Sequence, residues 1–122
     1  MPKKILFVDD DVDWHFLVNG SLRDAGYEVV VANSAGEALR HVEEDQLDLI
    51  VLDVDLGGGE EGLQLAKFLE ASRPPLPIIV YSGLPAEADT IRPARSDHSR
   101  LQLQKGNVEE LLKAVQTMLA GK

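Results

Sequence analysis

Four short strand-like runs in this chain, three apolar and one that alternates leucine with glutamine, each end on a reactive polar side chain. This pattern limits the possible folds more than any other feature. In chain order, the residues that end the runs are Asp9 and Asp10, Asp53, Ser82 and Lys105. Short apolar runs bounded by polar residues are typical of strands that are buried on both faces. If these strands are parallel, their polar ends meet at the carboxyl edge of one sheet, which is where open α/β sheets bind ligands.

Helix-like segments separate the strand-like runs. An apolar stripe at helical spacing follows the first strand and consists of Trp14, Leu17, Val18, Leu22 and Ala25. Residues 28–32 are predicted to form the next strand, and Ser34 and Glu37 form a capping box that begins the second helix. Asn107 is the predicted N-cap of the last helix. The prolines within residues 84–100 limit the fourth helix to a short or irregular one, followed by a mobile loop.

This alternation of five predicted strands with five predicted helices favours an α/β fold with a doubly wound parallel sheet. For the strand order we adopt the flavodoxin-like arrangement 2-1-3-4-5, which is common among such folds and which these residues alone do not determine. A length of 122 residues with 44% hydrophobic content suits a single domain over residues 1–122.

Composition argues against several classes of function. No apolar run approaches the roughly 18 residues of a membrane span, and the stretch after the basic N-terminus is too short for a signal peptide. The chain contains no cysteine, so that thiol chemistry is excluded and, with no targeting signal, a cytoplasmic protein is expected. The net charge of −9 argues against direct binding to nucleic acid or to an anionic membrane.

The adopted strand order would place Asp9 and Asp10 beside Asp53. Two carboxylates about 4 Å apart repel by about 4 kcal/mol at an effective dielectric constant of 20, so that a proton or a cation is needed between them. Oxygen ligands without histidine or thiolate favour Mg²⁺, Mn²⁺ or Ca²⁺ over Zn²⁺. Beside such a metal, Asp53 can attack phosphorus as a nucleophile, and Ser82 and Lys105 would meet the phosphoryl oxygens.

With these residues the chain resembles the receiver domain of two-component response regulators over essentially its whole length. The matching segments are Val8-Asp9-Asp10, Leu52-Asp53, Ser82-Gly83, Lys105 and Ala25-Gly26-Tyr27-Glu28-Val29. The resemblance implies that Asp53 is the phosphoacceptor. It also implies that Asp10 binds Mg²⁺ directly, that Asp9 is its partner through water, and that the backbone carbonyl of Asp55 completes the site.

The resemblance further implies the partners of the chain. Receiver domains accept phosphoryl groups from histidine kinases or histidine phosphotransfer proteins, and often from small donors. They are not enzymes beyond catalysing their own phosphorylation and dephosphorylation. The leading hypothesis is therefore a stand-alone receiver without an output domain, which switches its binding to an unknown downstream protein in a phosphorelay.

Two positions depart from the family pattern close to the predicted site. Gly106 stands where a proline usually follows the lysine, and Gln102 stands where an aromatic switch residue is usual. The loop after Asp53 also contains three successive glycines from Gly57. These departures motivate an alternative hypothesis, an interaction module of receiver fold that works without phosphorylation.

A second alternative is a small phosphatase that forms an aspartyl-phosphate. Asp53-Val54-Asp55 resembles the Asp-x-Asp motif of haloacid-dehalogenase-type phosphatases. In those enzymes the motif normally ends the first strand, whereas here it follows the third, and the chain has no room for a cap domain. This alternative is the weakest of the three.

Several polar residues near these motifs have simpler interpretations. Asp11 is expected to be the N-cap of the first helix and not a metal ligand. The three histidines, His15, His41 and His98, are expected at the surface and are given no role. Trp14 is expected to face the core close to the acidic residues.

Overall fold

The computed structural model describes residues 2–53, 61–70, 76–82, 100–104 and 106–120. The strands are β1 (Lys4–Val8), β2 (Glu28–Ala32), β3 (Leu49–Leu52), β4 (Ile78–Ser82) and β5 (Arg100–Gln104). The helices are α1 (Val12–Asp24), α2 (Ala35–Glu44), α3 (Glu61–Glu70) and α4 (Val108–Ala120). Apart from Arg100, the segment predicted as an irregular helix and loop lies outside the described residues, as does the glycine loop after Asp53.

All five strands lie in one parallel sheet with the order β2-β1-β3-β4-β5, which confirms the predicted doubly wound fold. The register between β1 and β3 pairs Val8 with Leu52. The register between β4 and β5 pairs Ser82 with Gln104. Because the strands are parallel, the carboxyl ends of β1, β3, β4 and β5 all lie at the same edge of the sheet.

Apolar side chains of the central strands alternate between two cores. On β1, Leu6 and Val8 join the core under α2 and α3, whereas Ile5 and Phe7 join the core under α1 and α4. The residues of β1 from Ile5 onward and all of β3 are fully buried, as expected for strands covered by helices on both faces. Since side chains alternate along a strand, Asp9 continues the side of β1 that faces α1.

Helix α1 begins where the sequence predicts, but not all residues of its apolar stripe are buried. The carboxylate of Asp11 accepts a hydrogen bond from the backbone N–H of Asp13 at 2.9 Å, which confirms Asp11 as the N-cap. Leu17, which belongs to the apolar stripe at helical spacing, is 52% exposed. The buried Val18 and Leu22 are spaced by four residues, and Leu17 lies about 100° around the helix from Val18.

The other predicted helix ends are confirmed. Ser34 caps α2 by accepting a hydrogen bond from the N–H of Glu37 at 3.2 Å, and the carboxylate of Glu37 accepts one from the N–H of Asn33 at 2.7 Å. The side chain of Asn107 accepts hydrogen bonds from the first turn of α4. Ala25, predicted within the apolar stripe of α1, is the exposed C-cap residue of that helix. None of the helices in the described residues is long and apolar enough to cross a membrane.

Candidate functional site

Three carboxylates meet at the carboxyl edge of the sheet. Asp9, Asp10 and Asp53 each offer an oxygen atom, and these three atoms lie within 4.8 Å of one another. The register explains the meeting, because Asp9 and Asp53 directly follow the paired residues Val8 and Leu52. The N–H of Asp53 donates to the carbonyl of Val8 at 2.9 Å and so extends the pairing by one residue.

The three aspartates differ in their exposure to solvent. Asp9 is fully buried, Asp53 is 4% exposed, and Asp10 is exposed. At separations of about 4 to 5 Å and an effective dielectric constant of about 20, each pair of ionised carboxylates repels by about 3 to 4 kcal/mol. Burial of an ionised carboxylate adds a further cost unless positive charge or hydrogen-bond donors compensate it. A cation bound between the three carboxylates would offset both costs, and their geometry could hold one.

Among the described residues, the ligand atoms that this cluster offers are all carboxylate oxygens. Carboxylate oxygens are the ligands preferred by Mg²⁺, Mn²⁺ and Ca²⁺, whereas Zn²⁺ sites usually include histidine or cysteine. Mg²⁺ is commonly held by one or two carboxylates, and its remaining positions are left to water and to phosphate oxygens. The three aspartates thus fit the predicted Mg²⁺.

The backbone of Asp9 is held on both sides. Its N–H donates to the carbonyl of Ala32 on β2 at 3.0 Å, and its own carbonyl contacts Nε2 of His15 on α1. Its carboxylate Oδ1 accepts a hydrogen bond from the N–H of Asp11 at 2.9 Å. These bonds join the end of β1 to its neighbouring strand and to the first turn of α1.

An aromatic pair lies between α1 and β4 beside this edge. The rings of Trp14 and Tyr81 meet edge to face, with their centroids 5.6 Å apart and an interplanar angle of 90°. Tyr81 is fully buried and precedes Ser82, the last residue of β4. Trp14 packs against the core on the α1 side of the sheet, as the sequence predicts.

The remaining predicted site residues are described only in part. The backbone of Ser82 pairs with Gln104 at the carboxyl edge, and Lys105 directly follows Gln104 in the chain. Lys105 itself and Asp55 lie outside the described residues. The proposed roles of Ser82, Lys105 and Asp55 therefore stay predictions.

Gly106, which replaces the usual proline, has a backbone conformation that proline cannot adopt. Its φ angle is +144°, whereas the ring of proline fixes φ near −65°. The glycine is therefore matched to the path that the backbone takes from β5 into α4. A proline at this position would require a different path.

Two histidines make contacts that the sequence analysis does not predict. His15, predicted at the surface, is half-buried, and its ring meets that of Phe7 edge to face at 5.8 Å in addition to contacting Asp9. His41 is also half-buried, and its Nδ1 lies 2.9 Å from Oδ2 of Asp45. The spacing of four residues on a helix could have indicated the second pair. His98 lies outside the described residues.

Charged side chains form a network at the opposite, amino edge of the sheet. Nζ of Lys4 lies 3.3 Å from a carboxylate oxygen of Glu28 and 3.4 Å from one of Asp45. The hydrogen bond with His41 lowers the pKa of Asp45, and the nearby charge of Lys4 lowers it further. Desolvation opposes the charge of Lys4, but its bonds to the two carboxylates outweigh this effect and raise the pKa of Lys4.

Comparison with known proteins identifies relatives of the chain. The family model for the response regulator receiver domain matches residues 5–116. The alkaline phosphatase synthesis transcriptional regulatory protein PhoP of Bacillus subtilis is 36% identical over 91 residues, which cover 75% of this chain and 38% of PhoP. The matched segment of the chain spans between 12% and 38% of the length of three curated relatives, one of which is PhoP.

Two solved structures show the same fold. A CheY-like response regulator receiver domain protein from Methanospirillum hungatei matches with a TM-score of 0.81 and 26% identity, over 99% of this chain and 96% of that one. The response regulator TrrA of Thermotoga maritima, solved in complex with Mg²⁺-BeF, matches with a TM-score of 0.76 and 27% identity. The second match covers 95% of this chain and 98% of TrrA.

Proposed function

This chain belongs to the response regulator receiver domain family of two-component signalling, and from that membership we propose that it accepts a phosphoryl group on Asp53 in a Mg²⁺-dependent reaction. The observation that carries the proposal is the cluster of Asp9, Asp10 and Asp53, whose carboxylate oxygens lie within 4.8 Å of one another. The complex of TrrA with Mg²⁺-BeF supports the choice of metal. Within this proposal, residues 1–122 act as a single receiver domain.

In the proposed reaction Asp53 is the nucleophile. One of its carboxylate oxygens attacks the phosphorus of the donor, and the new P–O bond forms as the bond between phosphorus and the leaving atom breaks. The remainder of the donor departs with the electron pair of the broken bond. For a phosphohistidine the leaving atom is an imidazole nitrogen, and for acetyl phosphate it is an acetate oxygen. The product is an aspartyl-phosphate at the carboxyl edge of the sheet.

The neighbouring residues would bind the metal and the phosphoryl group. Asp10 and Asp53 would hold Mg²⁺ directly, Asp9 would hold it through water, and the backbone carbonyl of Asp55 would complete the site. When bound, Mg²⁺ offsets the charge of the phosphoryl oxygens and of the carboxylates. Ser82 and Lys105 would donate to the remaining phosphoryl oxygens, where charge is redistributed during transfer.

We propose a histidine kinase or a histidine phosphotransfer protein as the donor, and an unknown protein as the downstream target. Phosphorylation would then change the affinity of the chain for that target. Because Gln102 stands in place of an aromatic switch residue, burial of an aromatic ring at this position is not available as the switching event.

The mass of the intact protein after incubation with acetyl phosphate and Mg²⁺ tests this function. We expect the wild-type chain to gain one phosphoryl group, and we expect neither Asp53→Ala nor the wild-type chain in EDTA to gain it. Asp13→Ala is a matched control, because Asp13 is an exposed aspartate outside the cluster and its variant should be labelled normally. Equal labelling of Asp53→Ala and wild type would contradict the assignment of the acceptor.

The conformation of Gly106 favours one alternative, a receiver-fold interaction module that works without phosphorylation. Its positive φ implies a path after Lys105 that differs from the proline-containing path of the family. Failure of every phosphodonor to label a chain that still binds Mg²⁺ would support this alternative. No observation on the described residues favours the phosphatase hypothesis.

A further inference from the structure

Three hydrogen bonds form a closed ring at the start of α1. The N–H of Asp11 donates to Oδ1 of Asp9 at 2.9 Å, and the N–H of His15 donates to the carbonyl of Asp11 at 3.1 Å. The ring closes where Nε2 of His15 meets the carbonyl oxygen of Asp9. Asp10 lies between Asp9 and Asp11 in the chain, so that these hydrogen bonds hold the residues on both sides of it.

The direction of the last hydrogen bond follows from its acceptor. A backbone carbonyl oxygen can only accept, so Nε2 of His15 carries the proton and donates it. The edge-to-face contact with the buried ring of Phe7, at an interplanar angle of 79°, restrains the orientation of the imidazole. The donor is therefore held in place by packing against β1.

The ring restrains both peptide planes that flank Asp10. The carbonyl of Asp9 belongs to the peptide that joins Asp9 to Asp10, and the N–H of Asp11 belongs to the peptide that joins Asp10 to Asp11. A peptide is planar, so that fixing the two planes around one Cα fixes φ, ψ and the direction of the Cα–Cβ bond. Because Asp10 is exposed, packing contributes less to its orientation than it does for the buried Asp9.

From this geometry we infer that His15 is a positioning residue for the metal site, which aims the carboxylate of Asp10 by holding the carbonyl of Asp9. The inference rests on the proposed function, in which Asp10 binds Mg²⁺ directly. Mg²⁺ requires nearly ideal octahedral geometry at short distances, so that a small rotation of one ligand lowers the affinity. Loss of a group that orients a metal ligand typically weakens metal binding by about 10- to 100-fold.

Titration of Mg²⁺ by calorimetry at a fixed pH tests the inference on four variants. His15→Leu removes the donor and keeps an apolar side chain beside Phe7, and we expect its Mg²⁺ dissociation constant to rise at least about tenfold. His15→Gln keeps an N–H at nearly the reach of Nε2, and we expect it to bind Mg²⁺ within a few-fold of wild type. The side chain in His15→Asn is one methylene shorter than that of glutamine, and we expect its Mg²⁺ dissociation constant to rise as it does in the leucine variant.

His41→Leu is the matched control, because it removes a half-buried histidine at the amino edge and should leave the dissociation constant unchanged. Circular dichroism and thermal unfolding establish that each variant is folded. If the leucine variant does not fold, the comparison of glutamine with asparagine decides the question.

Wild-type affinity in His15→Leu, or equal weakening in the glutamine and asparagine variants, would overturn the inference and leave the proposed function intact. A wild-type chain that binds no Mg²⁺ and gains no phosphoryl group would instead remove the proposed function, and the inference with it. The two failures are thus distinguishable.

Discussion

Asp9, Asp10 and Asp11 are consecutive and chemically identical, yet each has a different environment. Asp9 is buried, Asp10 is exposed beside it, and Asp11 caps α1. The backbone turns sharply from strand to helix at this point, so that neighbouring side chains point in different directions. The environment of each carboxylate, and not its residue type, determines whether it caps a helix or joins the acidic cluster.

Replacing Asp53 by asparagine should stabilise the metal-free protein. Asp53→Asn removes one of three clustered negative charges and the cost of burying it, and we expect a gain of about 1 to 3 kcal/mol in the free energy of unfolding. Addition of Mg²⁺ should then stabilise the wild-type chain and not the variant, because only the wild type retains the complete site.

Urea unfolding in EDTA and in excess Mg²⁺ measures both effects. Asp13→Asn serves as the control, since it removes an exposed carboxylate from α1 outside the cluster. A variant at position 53 that is less stable than wild type in EDTA would show that repulsion does not dominate the energetics of the site.

At the scale of elements, two glycines with open space around them have opposite conformational roles. Gly20 lies inside α1, and Gly106 precedes α4 with a φ angle of +144°. Within the part of the chain that the structure describes, a Cβ atom built on either one would meet no atom within 4 Å beyond its chain neighbours and, for Gly20, the backbone of its own helix. Any effect of a methyl group at these positions must therefore arise from the backbone and not from a clash.

Alanine at these two positions should change stability in opposite directions. Gly20→Ala should stabilise the protein by about 0.5 to 1 kcal/mol, because alanine is the better helix former. Gly106→Ala should destabilise it by about 1 kcal/mol or more, because a positive φ is strained for alanine. Thermal unfolding of the two variants beside wild type gives the comparison, and a stabilised Gly106→Ala would contradict the observed backbone conformation.

Local patterns in the sequence predict most strands and helix ends, but they do not predict which strands and helices contact one another. The run 28–32 and the cap at Ser34 depend on neighbouring residues only, and both are confirmed. The strand order was adopted from known folds, because no residue pattern determines which parallel strands pair. The sequence does not predict the contact of His15 with Asp9, because its acceptor is a backbone carbonyl and every residue has one. The roles of Lys105 and Asp55 stay predictions.

At the scale of the whole molecule, the two edges of the sheet have opposite electrostatic character. The carboxyl edge gathers like charges at Asp9, Asp10 and Asp53, whereas the amino edge pairs Lys4 with Glu28 and Asp45. The first arrangement could hold a metal ion, and the second contributes attraction without one. The proposed chemistry and the ion-pair network are therefore separated by the length of the strands.

The network at the amino edge should give a pH-dependent contribution to stability. The pKa of Asp45 is lowered in the folded state, so its contribution is present above the ordinary value of 3.8 and is lost as pH falls further. The pKa of Lys4 is raised, so its contribution is present below 10.5 and is lost as pH rises through the higher folded value. Both contributions should be full at neutral pH.

Urea unfolding of Asp45→Asn beside wild type across acidic pH tests this expectation. The variant should be less stable than wild type at neutral pH, and the difference should shrink below pH 3.8. Added salt should also reduce the difference, because these groups are partly exposed to solvent. A difference that is constant with pH would indicate a role for Asp45 that does not depend on its charge.

The central position of β1 has a consequence for local unfolding. β1 pairs with β2 on one side and β3 on the other, and most of its residues are fully buried. Such strands open only in the rarest fluctuations, and their amide hydrogens exchange with solvent last, whereas edge strands open more often. Asp9 and Asp53 directly follow β1 and β3, so that fluctuations of β5 or α4 can remodel the surface while the acidic cluster stays assembled.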